Sequence, residues 1–287
     1  MNKSSRHHYI PKFFTKNFTD SDGLLFVYNK IENKILSSKK SPKSVFYEWD
    51  RNTSNFSGDK LDNLEDLYSA LDSEIAIDVS NVLKTMTISP EELTSIALLA
   101  CQLKWRVPKI DSEFNRIKED LSQEDLGIKI TVKDKSIPID QNTIKQIEGS
   151  DFFKETKRVL LSILPFLNET KLLEIHNNSF IQSNPLYPSL IGDCPVLEKD
   201  NSDIYQIEDF IFPLSSSDTF IYKKGTNKGI NSGLFFFHRD LLIIESSSEY
   251  VGCKSKEHLE KIVEMYNVVK SENKLEGLSK NIFYYIT

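Results

Sequence analysis

Two histidines lie next to each other near the N-terminus, in the segment Arg-His-His-Tyr-Ile-Pro-Lys-Phe-Phe at positions 6–14. N-terminal arms usually fray unless other groups hold them, and an arm with this many aromatic and aliphatic side chains is expected to fold back onto the protein. His7 and His8 would then lie in a defined environment, where imidazole acts as a general base or a metal ligand. The pattern also fits an arm pinned by its aromatic residues, with both histidines serving only as hydrogen-bonding groups.

A second candidate pair, Gln102 and Arg106, lies one turn apart on a helix predicted over 93–106. Ser89 is suited to cap the start of this helix, and Pro108 is expected to end it. The middle of the helix is apolar all round, which is typical of a buried helix. Its arginine therefore needs a partner, because an unpaired buried charge is very costly. That partner is either an anionic ligand group held by the paired donors of the guanidinium or a carboxylate of the protein.

Carboxylates that suit this arginine lie on the preceding helix, predicted over 61–84. Glu65 and Asp72 are two turns apart and share one flank of that helix. Either of them could form a buried structural pair with Arg106, and the two could also be catalytic or metal-binding carboxylates. Charged helix flanks are also commonly just solvated.

A further carboxylate, Asp193, follows a predicted strand and precedes Cys194 and Pro195. Loop carboxylates at strand ends often act in catalysis, and they cap turns about as often. Cys194 is not assigned as a nucleophile, because no base can be identified for it.

These residues must be positioned by helices and strands. The pattern of helices and strands in the sequence indicates an α+β fold made of a single domain over 1–287. An N-terminal arm and a β-hairpin (24–28 with 30–36) come first, followed by a helical core at about 61–167. The last part, at about 172–287, is rich in β-strands; it is predicted to form a mixed or antiparallel sheet and to carry a terminal helix. No internal repeat or low-complexity linker divides the chain. The further segments predicted are helices over 152–167 and 256–270, an edge hairpin over 127–139, and strands over 172–177, 179–182, 190–196, 210–216, 219–222 and 241–244.

Composition and motifs exclude several classes of protein. The net charge of −6 argues against a protein that binds duplex nucleic acid, although an acidic protein can still have a locally basic cleft. Three cysteines without CxxC spacing argue against a disulfide framework or a zinc site. The sequence has no Gly-rich phosphate loop, GxSxG elbow or HExxH motif. It therefore does not belong to the P-loop NTPases, the typical α/β-hydrolases or the zincins. Without an apolar signal segment or a long apolar run, we expect a cytoplasmic protein with no membrane partner.

Several short motifs resemble, in their order and spacing, an uncharacterised bacterial family described as a domain of unknown function. Its members open with His-Tyr-x-Pro-x-Phe, which His8 to Phe13 match, followed here by Asn17-Phe18. A Phe-Tyr segment, a Leu-Glu helix start and a helix with Gln-x-x-x-Arg-x-Pro come next, and later Ser-Asp-x-Pro and Phe-Pro-Leu-Ser. The matching residues here are Phe46-Tyr47, Leu64-Glu65, Gln102, Arg106 and Pro108, then Asp193 to Pro195 and Phe212 to Ser215. This chain departs from the family at Gly192, where the family has Ser, and at Asp72, where the family has Glu. The resemblance implies a site assembled from separated segments, but it implies no reaction.

Two functions from different classes fit these residues. The first is a hydrolase acting on a phosphodiester or other anionic substrate, such as a nuclease-like effector in bacterial defence, with a nucleic acid or nucleotide as substrate. In it, His8 is the general base, Arg106 holds the anionic group, and Glu65 and Asp193 orient a water or bind a divalent metal ion; His7 and Gln102 contact the substrate. The second is a non-catalytic module that binds a small anionic ligand or a protein partner, for example one encoded nearby, through Gln102 and Arg106.

Overall fold

The computed structural model describes residues 6–56, 59–129, 131, 140–199 and 205–287. Within these residues the chain has the expected α+β fold, with strands at the N-terminal side, helices in the middle and antiparallel sheets towards the end. The predicted edge hairpin over 127–139 lies mostly outside the described residues.

The helices are grouped mainly in the middle and at the end of the chain. They are α1 (Lys12–Thr15), α2 (Asn63–Thr85), α3 (Pro90–Arg106), α4 (Asp111–Ile117), α5 (Gln141–Gly149), α6 (Asp151–Ile163), α7 (Glu169–Asn178), α8 (Leu234–Ser246), α9 (Lys256–Ser271) and α10 (Leu275–Asn281). None of these described helices is long and apolar enough to cross a membrane.

The strands are short and lie on both sides of the helical middle. They are β1 (Arg6–His8), β2 (Phe26–Asn29), β3 (Lys34–Ile35), β4 (Tyr47–Trp49), β5 (Ser54–Phe56), β6 (Asp59–Leu61), β7 (Ser179–Ser183), β8 (Ile191–Gly192), β9 (Leu197–Glu198), β10 (Phe210–Pro213), β11 (Asp218–Tyr222) and β12 (Tyr250–Cys253).

Two four-stranded sheets organise these strands, in the orders β7-β11-β10-β9 and β3-β2-β12-β8. The second sheet joins the predicted N-terminal hairpin to β12, and Val27 lies opposite Gly252 in that pairing. The strand pairs within both sheets are antiparallel. Segments from the beginning and the end of the chain therefore share one sheet.

Two predicted strands are helical instead. The segment 172–177 belongs to α7, which Asn168 begins by accepting a hydrogen bond from the backbone N–H of Lys171. The segment 241–244 belongs to α8, whose apolar residues are buried on most sides. A short apolar run does not distinguish a buried strand from a buried helix, and in both places tertiary packing selects the helix. The part of the chain after residue 172 is consequently richer in helix than the sequence predicts.

Helix α3 begins at the capping residue predicted for it and ends before Pro108, as predicted. The Ser89 hydroxyl accepts from the backbone N–H of Glu92, and the Glu92 carboxylate accepts from that of Ser89, which makes a complete capping box. Helix α3 packs against α2 on one side and α6 on another. Its buried polar side chains, Gln102 and Arg106, therefore lie inside the protein rather than on a solvated face.

Candidate functional site

The N-terminal arm folds back onto the body, as predicted. Strand β1 pairs with β4, which places His7 opposite Glu48 and His8 opposite Tyr47. Successive side chains of a strand point to opposite sides, yet both histidines are buried, so each side of β1 is covered. The ring of Phe14, on α1, stacks on that of Phe212 at 5.0 Å and fixes the arm to the sheet.

His7 is held by the backbone of a loop. Its Nδ1 accepts a hydrogen bond of 2.9 Å from the backbone N–H of Asn52, so the neutral ring carries its proton on Nε2. The side-chain amide of the same Asn52 donates to Glu65 Oε2 at 2.6 Å. Asn52 thus links two of the predicted site residues, His7 and Glu65, although nothing in its sequence context singles it out from other loop asparagines.

His8 lies on the other side of β1, with its ring 5.6 Å from that of Tyr47. Burial lowers the pKa of His8 from 6.5 to about 4, and the positive charges of Lys12 and Arg106 contribute. The ring is therefore neutral at pH 7. Its buried Nε2 has no hydrogen-bond partner among the described residues.

Arg106, the last residue of α3, pairs with Asp72 on α2. Its Nη1 lies 2.9 and 3.0 Å from the two carboxylate oxygens of Asp72, and its guanidinium lies over the Tyr68 ring at 4.2 Å. Burial raises the pKa of Asp72, and the charge of Arg106 opposes that rise. The structure thus gives Arg106 a partner on the acidic flank of α2, while its buried Nε has none within the described part of the chain.

Gln102 lies one turn before Arg106 and is 1% exposed. Neither its side-chain oxygen nor its nitrogen has a hydrogen-bond partner in the residues that the structure describes, and the same is true of the buried hydroxyl of Tyr68. Buried polar groups are nearly always hydrogen-bonded, to protein or to ordered water. We call His8, Tyr68, Asp72, Gln102 and Arg106 the Arg106 site, because Asp72 and Tyr68 contact the guanidinium, Gln102 lies one turn before it on α3, and its charge acts on the pKa of His8. Its unpaired buried atoms are the kind that water or a ligand group satisfies.

Two further arginines fix the end of α3. Arg51 Nε donates to the backbone oxygen of Arg106 at 3.2 Å, and Arg158 Nη1 donates to that of Trp105 at 2.9 Å. These carbonyls lie in the last turn of the helix, where intrahelical partners run out. Both arginines also bind Asp111 Oδ1, each at 2.7 Å. Burial raises the pKa of Asp111, but hydrogen bonds and charges from Arg51 and Arg158 outweigh it and hold that pKa below its ordinary range.

Asp193 has a different set of partners. Its carboxylate accepts from the backbone N–H groups of Ser248, Glu249 and Tyr250 at 2.7, 2.6 and 2.9 Å. It therefore ties the end of β8 to the start of β12. Among the described residues, no hydrogen bond or ion pair connects Asp193 with the Arg106 site. Burial raises the pKa of the neighbouring Cys194 thiol to about 11, so that the thiol is protonated at neutral pH.

The predicted site residues thus fall into three groups. His8, Gln102 and Arg106 contribute to the Arg106 site, His7 and Glu65 meet at Asn52, and Asp193 lies apart. The sequence interpretation missed Asn52, Tyr68 and the arginines that cap α3. Within the described ranges, no group of three or more His, Cys, Asp or Glu side chains is arranged to hold a metal ion.

Comparison with known proteins identifies a matching family. The model of a family described as a protein of unknown function, DUF4238, matches residues 6–227. This range includes the arm, helices α2 and α3 and Asp193. No curated protein and no solved structure matches the chain. Because the family model covers most of the sequence, the chain belongs to the DUF4238 family of proteins of unknown function.

Proposed function

We propose that this protein is a hydrolase that acts on a phosphodiester or a related anionic substrate, with His8 as the general base. The observation that carries this function is the set of unpaired buried atoms at the Arg106 site: His8 Nε2, both polar atoms of Gln102 and Arg106 Nε. A neutral imidazole that lies in the electrostatic field of a charged guanidinium, together with an unpaired amide, provides a proton acceptor, a charge stabiliser and a group that orients water.

The proposed reaction starts from a water bound between Gln102 and His8. The amide of Gln102 both donates and accepts, so it orients the water. The water oxygen forms a bond to phosphorus while its proton passes to His8 Nε2. The ester P–O bond breaks, and the leaving oxygen takes the proton back from His8. Arg106 stabilises the charge that develops on the phosphoryl oxygens.

The charges around His8 connect its basicity to the substrate. In the free protein, burial together with Lys12 and Arg106 disfavours the imidazolium form. A bound anion offsets the field of these two cations, and the pKa of His8 then rises towards the range in which a general base is most effective. An anionic substrate would thus activate the base that attacks it.

The substrate class follows from the same site. An acidic chain with net charge −6 is a poor match for a long duplex, which favours a nucleotide or a single-stranded nucleic acid. We extend the proposal to a nuclease-like effector in bacterial defence that acts in the cytoplasm with a partner protein encoded nearby. The step above uses His8 as the base, and the assay below is run with and without a divalent ion, which Glu65 and Asp193 are candidates to bind.

A second candidate function is a non-catalytic module that binds a small anionic ligand. The observation in its favour is that Asp72 already neutralises Arg106 and that Arg106 is 2% exposed. A pair of this kind holds a bound polar group without needing a reaction.

The experiment that tests the proposal is a hydrolysis assay of RNA, DNA and nucleotide phosphodiesters, with and without Mg²⁺ or Mn²⁺. Wild type and Arg106→Lys are compared, because lysine keeps the charge and loses the Nε donor. Cleavage by the wild type that drops at least about tenfold in the variant supports the hydrolase. Absence of cleavage under all these conditions contradicts it and favours the binding module.

A further inference from the structure

A second feature of the molecule is a polar pocket of about 330 Å³, two of whose lining residues, Arg51 and Arg158, bind backbone oxygens in the last turn of α3. We propose that it binds the body of the substrate, and that this body is a phosphorylated, hydroxyl-rich group the size of one nucleotide. This assignment rests on the proposed hydrolytic function and adds the class of substrate to it. The polar pocket is formed by the loop that follows β4, by β5 and by residues of α4 and α6.

Direct hydrogen bonds connect the polar pocket with the predicted site residues. Asn52 lines it and bonds both His7 and Glu65. Arg51 also lines it and donates to the backbone oxygen of Arg106. A ligand in the polar pocket would therefore meet Asn52, which bonds His7 and Glu65, and Arg51, which holds the backbone of the residue that carries the reacting guanidinium.

The walls of the polar pocket suit phosphate and hydroxyl groups rather than an apolar ligand. Four cationic side chains and three carboxylates line it, together with uncharged polar groups. The cations are Arg51, Lys118, Lys154 and Arg158, and the carboxylates are Asp111, Asp151 and Glu155.

Ion pairs hold the two lysines in place without using all of their donors. Lys118 Nζ lies 2.7 Å from Glu155, and Lys154 Nζ lies 2.8 Å from Glu119. An ammonium group has three N–H donors, so donors remain for a phosphate. The carboxylates of the same wall accept from ribose-type hydroxyl groups.

Ser54 provides an independent observation. The residue lines the polar pocket and is 5% exposed, and its hydroxyl oxygen has no hydrogen-bond partner in the part of the chain that the structure describes. A buried hydroxyl without a partner is costly, and a ligand oxygen in the polar pocket would satisfy it.

The volume of the polar pocket sets the size of the ligand. A volume of 330 Å³ lies at the lower end of the range for small-molecule sites, about 300–1,000 Å³. It accommodates one nucleotide unit, in agreement with a mononucleotide or the end of a single strand rather than a duplex.

The experiment is calorimetric titration of the full-length protein with AMP, ribose 5-phosphate and inorganic phosphate. We expect AMP and ribose 5-phosphate to bind more tightly than inorganic phosphate. Ser54→Ala should weaken AMP binding about fivefold, the effect of one hydrogen bond, and leave the melting temperature of the ligand-free protein unchanged or slightly higher. Lys154→Gln should weaken the binding of both phosphorylated compounds.

Two matched variants serve as controls. Ser73→Ala removes an exposed serine hydroxyl of α2 that bonds only its own helix, and Lys261→Gln removes the lysine of an exposed ion pair. Neither should change binding. Equal binding of all three compounds, no binding of any, or equal effects of the pocket and control variants would overturn the assignment.

The outcome also separates this inference from the proposed function. AMP binding that depends on Ser54 and Lys154, in a protein that cleaves no phosphodiester, refutes the hydrolase and keeps the polar pocket as a ligand site. Cleavage that depends on His8, with a KM that Ser54→Ala and Lys154→Gln leave unchanged, keeps the hydrolase and refutes the polar pocket as its substrate site.

Discussion

Arg106 holds both carboxylate oxygens of Asp72 with a single nitrogen, Nη1, at 2.9 and 3.0 Å. The pair leaves Nε of the same guanidinium buried and without a partner among the described residues. A pair that served only to neutralise a buried charge would be expected to use the whole fork of donors. The geometry instead leaves one donor of the arginine without a partner, one helical turn after Gln102, whose amide is also unpaired within the described residues.

The first prediction concerns this pair. Asp72→Asn leaves Arg106 buried without a counter-charge, and we expect a loss of about 3–5 kcal/mol in the free energy of unfolding. Urea denaturation measures this loss. Glu257→Gln, which removes one partner of an exposed ion pair, should leave stability nearly unchanged. Equal effects of the two substitutions would show that Arg106 does not depend on Asp72.

The second prediction concerns pH. The unfolded chain protonates His8 near pH 6.5, but the folded chain does so only near pH 4. The unfolded state therefore binds more protons between these values, and His8 lowers stability as pH falls through this range. The full difference corresponds to about 3 kcal/mol, and partial access of water to the ring reduces it to about 1–2 kcal/mol.

His8→Asn should remove that part of the pH dependence. Denaturation midpoints of the wild type and the variant, compared at pH 7 and pH 5, measure the change. The two proteins should differ in slope, with the wild type losing more stability at pH 5. Parallel curves would mean that the imidazole of His8 is as accessible to protons as in the unfolded chain.

The third prediction concerns Asn52. Asn52→Asp places a carboxylate where the amide now donates to Glu65 at 2.6 Å. We expect repulsion between two carboxylates and a loss of stability of about 2 kcal/mol at pH 7, which protonation at low pH relieves in part. Asn52→Ala, which only removes the hydrogen bond, should cost less. A loss for Asn52→Asp no larger than that for Asn52→Ala contradicts the contact.

The fourth prediction separates stability from activity at Gln102. Methionine has nearly the same shape and no polar atoms that need partners, so Gln102→Met should keep stability within about 1 kcal/mol of the wild type, or raise it. Hydrolysis should fall by about 100-fold, because the attacking water loses its orienting group. Thermal unfolding and single-turnover rates on one sample measure both. A variant that unfolds more easily but keeps its activity would assign Gln102 a structural role.

The fifth prediction concerns Asp193, which we interpret as an anchor for the loop before β12. Asp193→Ala leaves three backbone N–H groups of that loop without their acceptor, and we expect a loss of about 2–4 kcal/mol. Below the unfolding temperature, the activity per folded molecule should stay within about threefold of the wild type. Denaturation and activity measured on the same sample test this. A large loss of activity without a loss of stability would indicate that Asp193 takes part in catalysis.

Some of these relationships follow from local sequence patterns. The aromatic residues of the arm predict that it folds back, and β1 does pair with β4. The Ser89 cap and Pro108 bracket α3 correctly. A buried arginine needs a carboxylate partner, and helix periodicity places Glu65 and Asp72 on one flank of the neighbouring helix. Asp72 is therefore one of two predicted partners of Arg106, because helix periodicity can be read from nearby residues.

Other relationships could not be predicted, because their partners are distant in the sequence. Asn52 and Ser54 lie in a polar stretch whose contacts depend on α2, α3 and α6, and a loop asparagine has no local signal for a partner in a helix. Asp193 meets backbone groups more than 50 residues away. The segment 241–244 is predicted as a strand but belongs to a helix. That helix is buried on most sides, so its sequence lacks the alternation of apolar and polar residues that distinguishes a helix from a strand.

The measurement that tests the central claim most directly compares phosphodiester hydrolysis by the wild type, His8→Asn and the control His176→Asn. His176 is a partly buried histidine that bonds Thr94, away from the Arg106 site. If His8 is the general base, His8→Asn should lose about 100-fold or more of the rate while remaining folded, and His176→Asn should keep it. Equal rates in all three proteins would contradict the claim.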